Sequence, residues 1–121
     1  KGSQARCDAA GIKTAVVDLV TPDWSKTPAD FDYVLHLAAA IVPGLDFQAS
    51  IRINALGTGK VMSRFRKAKA CLVMSTCGVY ARPRSYAKGV VESDPLGGTP
   101  QPYAPTYCVS KISQEAVASS C

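Results

Sequence analysis

"YVLHLAAA", residues 33–40, is an apolar run interrupted by a single histidine. Its reading decides the fold. A strand with one face in water alternates polar and apolar side chains; a run without alternation implies burial on both faces, as in a parallel sheet covered by helices. Two further runs are of the same kind. "TAVVDL", residues 14–19, is β-branched, follows a glycine and ends on an acid, and "KACLVMST", residues 69–76, ends on two hydroxyls. The expectation is three buried strands.

The segments between them change character. "DWSKTPADFD", residues 23–32, has the proline, serine and aspartate content of a turn with a short helix. After "IVPG", Phe47, Ile51, Ala55, Met62 and Phe65 recur at three- to four-residue steps, which predicts a helix of several turns. Gly57 and Gly59 inside it cost about 1 kcal/mol each relative to alanine, so a close approach of backbone or cofactor is expected there. "ARPRSYAKGVVESDPLGGTPQPYAP", residues 81–105, is a long stretch rich in proline and glycine, and loops of that length inside a compact domain are usually functional. From about Thr106 to the end the chain reads as helix. Strand, short helix, strand, long helix, strand, loop and helix give an α/β fold with a doubly wound parallel sheet. Ligands in such sheets sit outside the carboxyl ends of the strands. Asp18, the Ala38 to Ala40 run, and Ser75 with Thr76 therefore line one crevice.

Bulk properties narrow the function class. A 121-residue chain with 47% hydrophobic and 19% charged residues is an ordinary single globular domain. The formal charge is +5, but Lys60, Arg64, Arg66, Lys67 and Lys69 gather toward the end of the long helix, where cations suit the macrodipole. They read as a solvated face. No aromatic residues interleave with them as single-strand binding requires, so nucleic acid is not an expected partner. Cys7, Cys71, Cys77, Cys108 and Cys121 are odd in number and lack CxxC spacing, which argues against a disulfide framework and a zinc site. No run approaches the roughly 18 apolar residues of a membrane span. The expectation is a soluble, cytoplasmic protein with no metal and no membrane partner. His36 sits mid-strand and reads as a satisfied core residue, and Asp18 also suits a cap for the turn that follows it.

"TYCVSK", residues 106–111, sets a phenol and an ammonium four positions apart at the start of the last helix. At about 1.5 Å of rise per residue, Tyr107 and Lys111 share a face about 6 Å apart along the axis. Lowering a phenol from about 10 to about 7 takes roughly 4 kcal/mol, which a unit charge about 4 Å away supplies at an effective dielectric of about 20. A partly dry crevice would let Lys111 tune Tyr107 as a proton donor and acceptor. "MSTCGVY", residues 74–80, offers a hydroxyl to hold a carbonyl oxygen beside the phenol. Such a set suits hydride transfer at a hydroxyl or ketone, and the absence of a GxSxG elbow leaves acyl transfer without support.

In this order, "VVDL", "VLHLAA", "NALGT", "MSTCGVY", "ESDPLGGTPQPYAPTYCVSK" and Glu115 resemble the extended short-chain dehydrogenases/reductases, the NAD-dependent epimerases and dehydratases. The resemblance implies a Rossmann fold binding NAD or NADP, with Tyr107 as catalytic acid/base and Lys111 bonding the nicotinamide ribose while lowering the tyrosine's pKa. Aligning Val79 and Tyr80 with the family pattern places Thr76 at the catalytic hydroxyl, with Ser75 as second choice. Asp18 and Leu19 look like the adenine-contacting pair, Ala38 and Ala39 like the wall beside the cofactor, and Asn54 like the helix asparagine near the active site. The implied substrate is a small molecule such as a nucleotide sugar. NADPH-linked reduction of an aldehyde, thioester or ketone, and non-catalytic dinucleotide sensing, stay open as alternatives. Arg82, Arg84 and Lys88 of the long loop are candidates to meet an anionic substrate. Family members often dimerise through two helices, here those near residues 46–68 and 106–120. The glycine-rich GxxGxxG turn of the family does not occur in the chain. Residues 1–121 are therefore expected to be the central part of an NAD(P)-binding Rossmann domain, an internal fragment lacking the first strands and the C-terminal substrate-binding part, and inactive in isolation.

Overall fold

The computed structural model describes residues 2–82, 89–97 and 102–121. In chain order the elements are α1 (Gly2–Ala9), β1 (Tyr33–His36), α2 (Phe47–Ile51), a π-helical turn (Arg52–Leu56), α3 (Gly57–Arg64), β2 (Ala70–Val73), a 3₁₀ turn (Cys77–Val79) and α4 (Tyr107–Ser120). β1 and β2 pair in parallel, with Tyr33 opposite Ala70 and His36 opposite Val73. Bonds from Lys69 N to Asp32 O at 2.8 Å and from Met74 N to His36 O at 3.0 Å carry the ladder past both ends. Parallel neighbours need a crossover, and the continuous helix Phe47–Arg64 provides it. Asp46 starts that helix by accepting from Ala49 N at 2.8 Å.

Three expectations from the sequence are corrected. Residues 14–19 are not a strand: Val16 is 97% exposed, and β1–β2 is the sheet found among the described residues. A β-branched run becomes a strand only where a neighbour offers its N–H and C=O groups, and here none does. The segment 23–32 forms turns rather than a short helix, because Asp23 accepts from Ser25 N at 2.9 Å and draws the backbone out of helical register. β1 is covered on one face only. Val34 and His36 face the helices, while Tyr33 and Leu35 are exposed together with Leu72 of β2. The sequence also gave no sign of α1, an exposed helix without an apolar stripe. It ends at Gly11, whose φ of +69° lets Gly11 N reach Asp8 O at 3.0 Å and Ile12 N reach Cys7 O at 2.9 Å.

The long helix and α4 pack through small and polar side chains. Ala55, Val61, Val79, Ala104 and Cys108 are the buried apolar residues, and Ser50, Asn54, Thr58, Ser110, Lys111 and Gln114 are buried beside them. The two glycines explain the closeness. A Cβ on Gly57 would stand 3.0 Å from Leu19 Cβ, and one on Gly59 would stand 3.2 Å from Val117 Cγ1. Within the described residues, the nearest atoms to both positions are side-chain atoms of Leu19 and Val117. Of the cations, Lys60 donates to Val20 O and Arg64 donates to Thr27 O at 2.7 Å, so these two tie the 20–27 loop to α3 instead of standing free. Lys69 pairs with Asp32 at 2.9 Å on the surface, where such pairs contribute little. The five cysteines are free. No helix among the described residues is long and apolar enough to cross a membrane.

Candidate active site

Parallel pairing brings the carboxyl ends of β1 and β2 to one edge, so that Leu37–Ala40 and Met74–Thr76 emerge side by side. α4 lies across the second of these. Thr76 is extended, with φ −152° and ψ 146°, and its hydroxyl accepts from Gly78 N at 3.3 Å, which caps the 3₁₀ turn. The same hydroxyl lies close enough to the Tyr107 phenol to favour its charged form. Ser75 points the other way and donates to Glu115 Oε1. Between the two candidate hydroxyls, the one beside the phenol is Thr76.

Lys111 is 1% exposed, and its Nζ donates to the Met74 carbonyl at 2.5 Å. Burial pushes its pKa below the ordinary 10.5, and the Glu115 carboxylate pulls it back up. The electrostatics of Tyr107 run against expectation. Burial raises the phenol above its ordinary 10.0; the neighbouring Cys108, Tyr103 and Cys77 add to the rise, and the Thr76 hydroxyl opposes it. The expected lowering by Lys111 is not among the causes of the shift, and the Lys111 ammonium is held at the Met74 carbonyl. Cys77 is exposed and Cys108 is buried, with its Sγ 3.0 Å from where a Cβ on Gly78 would lie.

The proposed cofactor residues fall into different situations. Ala38 and Ala39 are exposed directly after β1, where methyl side chains leave the backbone open to a flat ligand. Asp18 is exposed and accepts from Val20 N at 2.8 Å and from the Thr21 hydroxyl at 3.2 Å, so its capping role is realised. Leu19 rests on Gly57. Asn54 is fully buried on the π turn. Its Oδ1 accepts from Ala40 N at 2.7 Å, and its Nδ2 donates to Ala40 O at 3.0 Å and to Ser110 Oγ at 2.8 Å. Its amide is thus engaged within the chain, and it acts on the crevice through the Ala40 backbone it holds. Arg84 and Lys88 lie outside the described residues; Arg82 is exposed.

One polar network escaped the sequence reading. His36 Nε2 lies 2.8 Å from Thr58 Oγ1; that hydroxyl donates to Asn54 O at 2.7 Å and accepts from Gln114 Nε2 at 2.7 Å. With the Thr58 proton directed at Asn54 O, the imidazole is the donor, on Nε2. Burial, then the Lys111 charge, lower the pKa of His36 below 6.5. The signal was present as Ser50, Asn54 and Thr58 at four-residue steps, a polar stripe flanking the apolar one. The expectation of a satisfied core histidine agrees with this geometry.

The exposed Ala38 and Ala39 and the Thr76, Tyr107 and Lys111 groups stand at the same edge, where β1 and β2 end. No curated protein sequence matches the chain significantly. Among solved structures, the UDP-glucuronic acid 4-epimerase of Bacillus cereus in complex with NAD is 28% identical, with a TM-score of 0.67, covering 97% of this chain and 38% of that one. A mutant of the same epimerase with UDP-4-deoxy-4-fluoro-glucuronic acid and NAD gives 28% identity and a TM-score of 0.70 over 98% of this chain and 37% of that one. The Bordetella bronchiseptica enzyme WbmG in complex with NAD and UDP is 25% identical, with a TM-score of 0.60 over 71% of this chain and 26% of that one. The chain thus spans less than two-fifths of the length of these enzymes, and its fold is Rossmann-like as theirs is. The model of the NAD dependent epimerase/dehydratase family matches residues 3–120, and the chain belongs to that family.

Proposed function

We propose that these residues are the central part of the dinucleotide-binding domain of an NAD-dependent epimerase or related oxidoreductase acting on a nucleotide sugar. The observation that carries the reading is the nearness of the Thr76 hydroxyl to the Tyr107 phenol at the carboxyl end of β2, with the buried Lys111 ammonium one helical turn along. Ala38 and Ala39 would lie along the cofactor, Asp18 and Leu19 would meet its adenine end, and Lys111 would bond its ribose with N–H groups not used by Met74 O. NAD is favoured over NADP because the similar solved enzymes are described with NAD. When bound, NAD supplies the hydride acceptor and a positively charged ring.

Tyr107, as phenolate, removes the proton of a substrate hydroxyl while that carbon is oxidised, and returns it when the ketone is reduced. Thr76 donates to the same substrate oxygen, which stabilises the charge developing there. Because burial raises the phenol, positive charge has to come from Lys111 and the ligand together. A nucleotide sugar is favoured because the similar enzymes were solved with UDP or a UDP-sugar analogue. Five free thiols fit a reducing, cytoplasmic setting. Phe47, Leu56 and Val109, exposed on the long helix and α4, are our candidates for a homodimer contact. The test is incubation of the protein at its full natural length with NAD and UDP-sugars, with product sugars resolved by chromatography. Conversion of at least one UDP-sugar is expected. NAD binding without conversion of any nucleotide sugar, aldehyde or ketone would overturn the enzymatic reading.

A further inference from the structure

Tyr107, Lys111 and Glu115 follow one another at four-residue steps on α4 and therefore share a face. That face meets consecutive residues at the end of β2: Lys111 donates to the Met74 carbonyl, Glu115 accepts from the Ser75 hydroxyl, and the Tyr107 phenol lies near the Thr76 hydroxyl, which favours its charged form. The function above uses the contacts of Lys111 and Tyr107 and leaves that of Glu115 unexplained. We infer that Glu115 is a positioning residue, which anchors Ser75 while Lys111 anchors Met74, so that the extended strand end aims Thr76 at Tyr107.

Successive side chains on extended backbone point to opposite sides. Fixing Ser75 on one side therefore fixes where Thr76 points on the other. Met74 and Ser75 are held through a main-chain and a side-chain atom respectively, and two points of attachment remove the twist that one would allow. A glutamine would also accept the Ser75 proton, so hydrogen bonding alone does not call for a carboxylate. Charge does: a buried ammonium needs an anion nearby. Among the described residues, the titratable groups that interact with the Lys111 charge are His36 from β1 and Glu115 from α4, with Tyr107 one turn back on the same helix face, and the carboxylate among these is Glu115. It opposes the burial that depresses Lys111.

This inference rests on the proposed roles of Thr76, Tyr107 and Lys111, and its test separates the two. Glu115→Gln, Glu115→Ala and Ser75→Ala are compared with Tyr107→Phe in the full-length protein. kcat/KM is followed against pH, and the Lys111 ammonium is titrated by nitrogen NMR without cofactor. Ser75→Ala is expected to lower kcat about tenfold, with KM and the pH limbs unmoved. Glu115→Gln is expected to move the Lys111 titration, and the alkaline limb of kcat/KM with it, down by about one pH unit. Glu115→Ala should do both. Unmoved Lys111 titration in Glu115→Gln, or kcat within about twofold of wild type in Ser75→Ala, overturns the inference, as does an equal loss at every pH in all three variants. Turnover surviving in Tyr107→Phe would instead sink the catalytic reading, while the Lys111 titration would still report on the clamp.

Discussion

Ser75 and Thr76 carry the same functional group one residue apart, yet one is bonded to Glu115 and the other stands beside the Tyr107 phenol. Backbone extension at Thr76 accounts for the separation. Loss of the hydroxyl in Thr76→Ala is expected to lower kcat about a hundredfold, as for one donor to a developing oxyanion, with Thr76→Ser recovering most of it. Equal activity in Thr76→Ala and wild type would contradict the role. His36 yields a prediction about acid. Its folded pKa lies below the ordinary 6.5 because of burial and then Lys111. As pH falls below about 6.5 the unfolded chain binds the proton first, so stability is lost on acidification down through the folded value and levels off below it. Thermal midpoints measured from about pH 7.5 to about pH 5 should decline in wild type and less steeply in His36→Gln; parallel declines would contradict this. That Tyr107 and Lys111 share one face was legible from the helical period, whereas Thr76 was reached only through the family resemblance. What spacing does not contain is where the ammonium turns. Its bond to a main-chain carbonyl of β2 and the burial that raises the phenol depend on a strand 37 positions away.

The helix Phe47–Arg64 ties strand, loop and α4 together, and its π turn carries Asn54. Such turns often occur at functional sites. Asn54→Ala would leave the Ala40 N–H and C=O without their side-chain partners. At about 1–3 kcal/mol per unsatisfied buried group, destabilisation of at least about 2 kcal/mol is expected in the denaturant midpoint. A change below about 0.5 kcal/mol would show that water replaces the amide without penalty. Gly57→Ala sets a helix-propensity gain of about 1 kcal/mol against a forced contact with Leu19 of about 1–3 kcal/mol, so a net loss of about 1 kcal/mol is expected. A stabilised variant would mean that Leu19 yields freely. Strands β1 and β2 were legible because each finds the other. The run 14–19 has comparable β-branched content and no ladder partner among the described residues, so propensity without pairing leaves it irregular. The helix existed where periodicity placed it, but Phe47, counted among its core positions, is exposed, and Ser50, Asn54 and Thr58 are buried instead. Hydrophobic patterning misses a helix face that packs through hydrogen bonds.

The chain as a whole presents an apolar sheet face on one side and a polar helical packing on the other, with the crevice at the edge between them. Tyr33, Leu35 and Leu72 on the open face explain why "YVLHLAAA" lacks alternation although β1 is covered on one side only. The sequence carried the composition of a doubly covered strand. Among the described residues, one face of β1 is covered. The order of motifs carried the family, because a Rossmann-like arrangement brings strand ends far apart in sequence to one edge. The account depends most on proton transfer by the phenol held between Thr76 and Lys111. The direct measurement is kcat for Tyr107→Phe in the full-length protein with NAD and its UDP-sugar. A fall of at least about a hundredfold at every pH tested is predicted. Turnover within about tenfold of wild type would contradict the account.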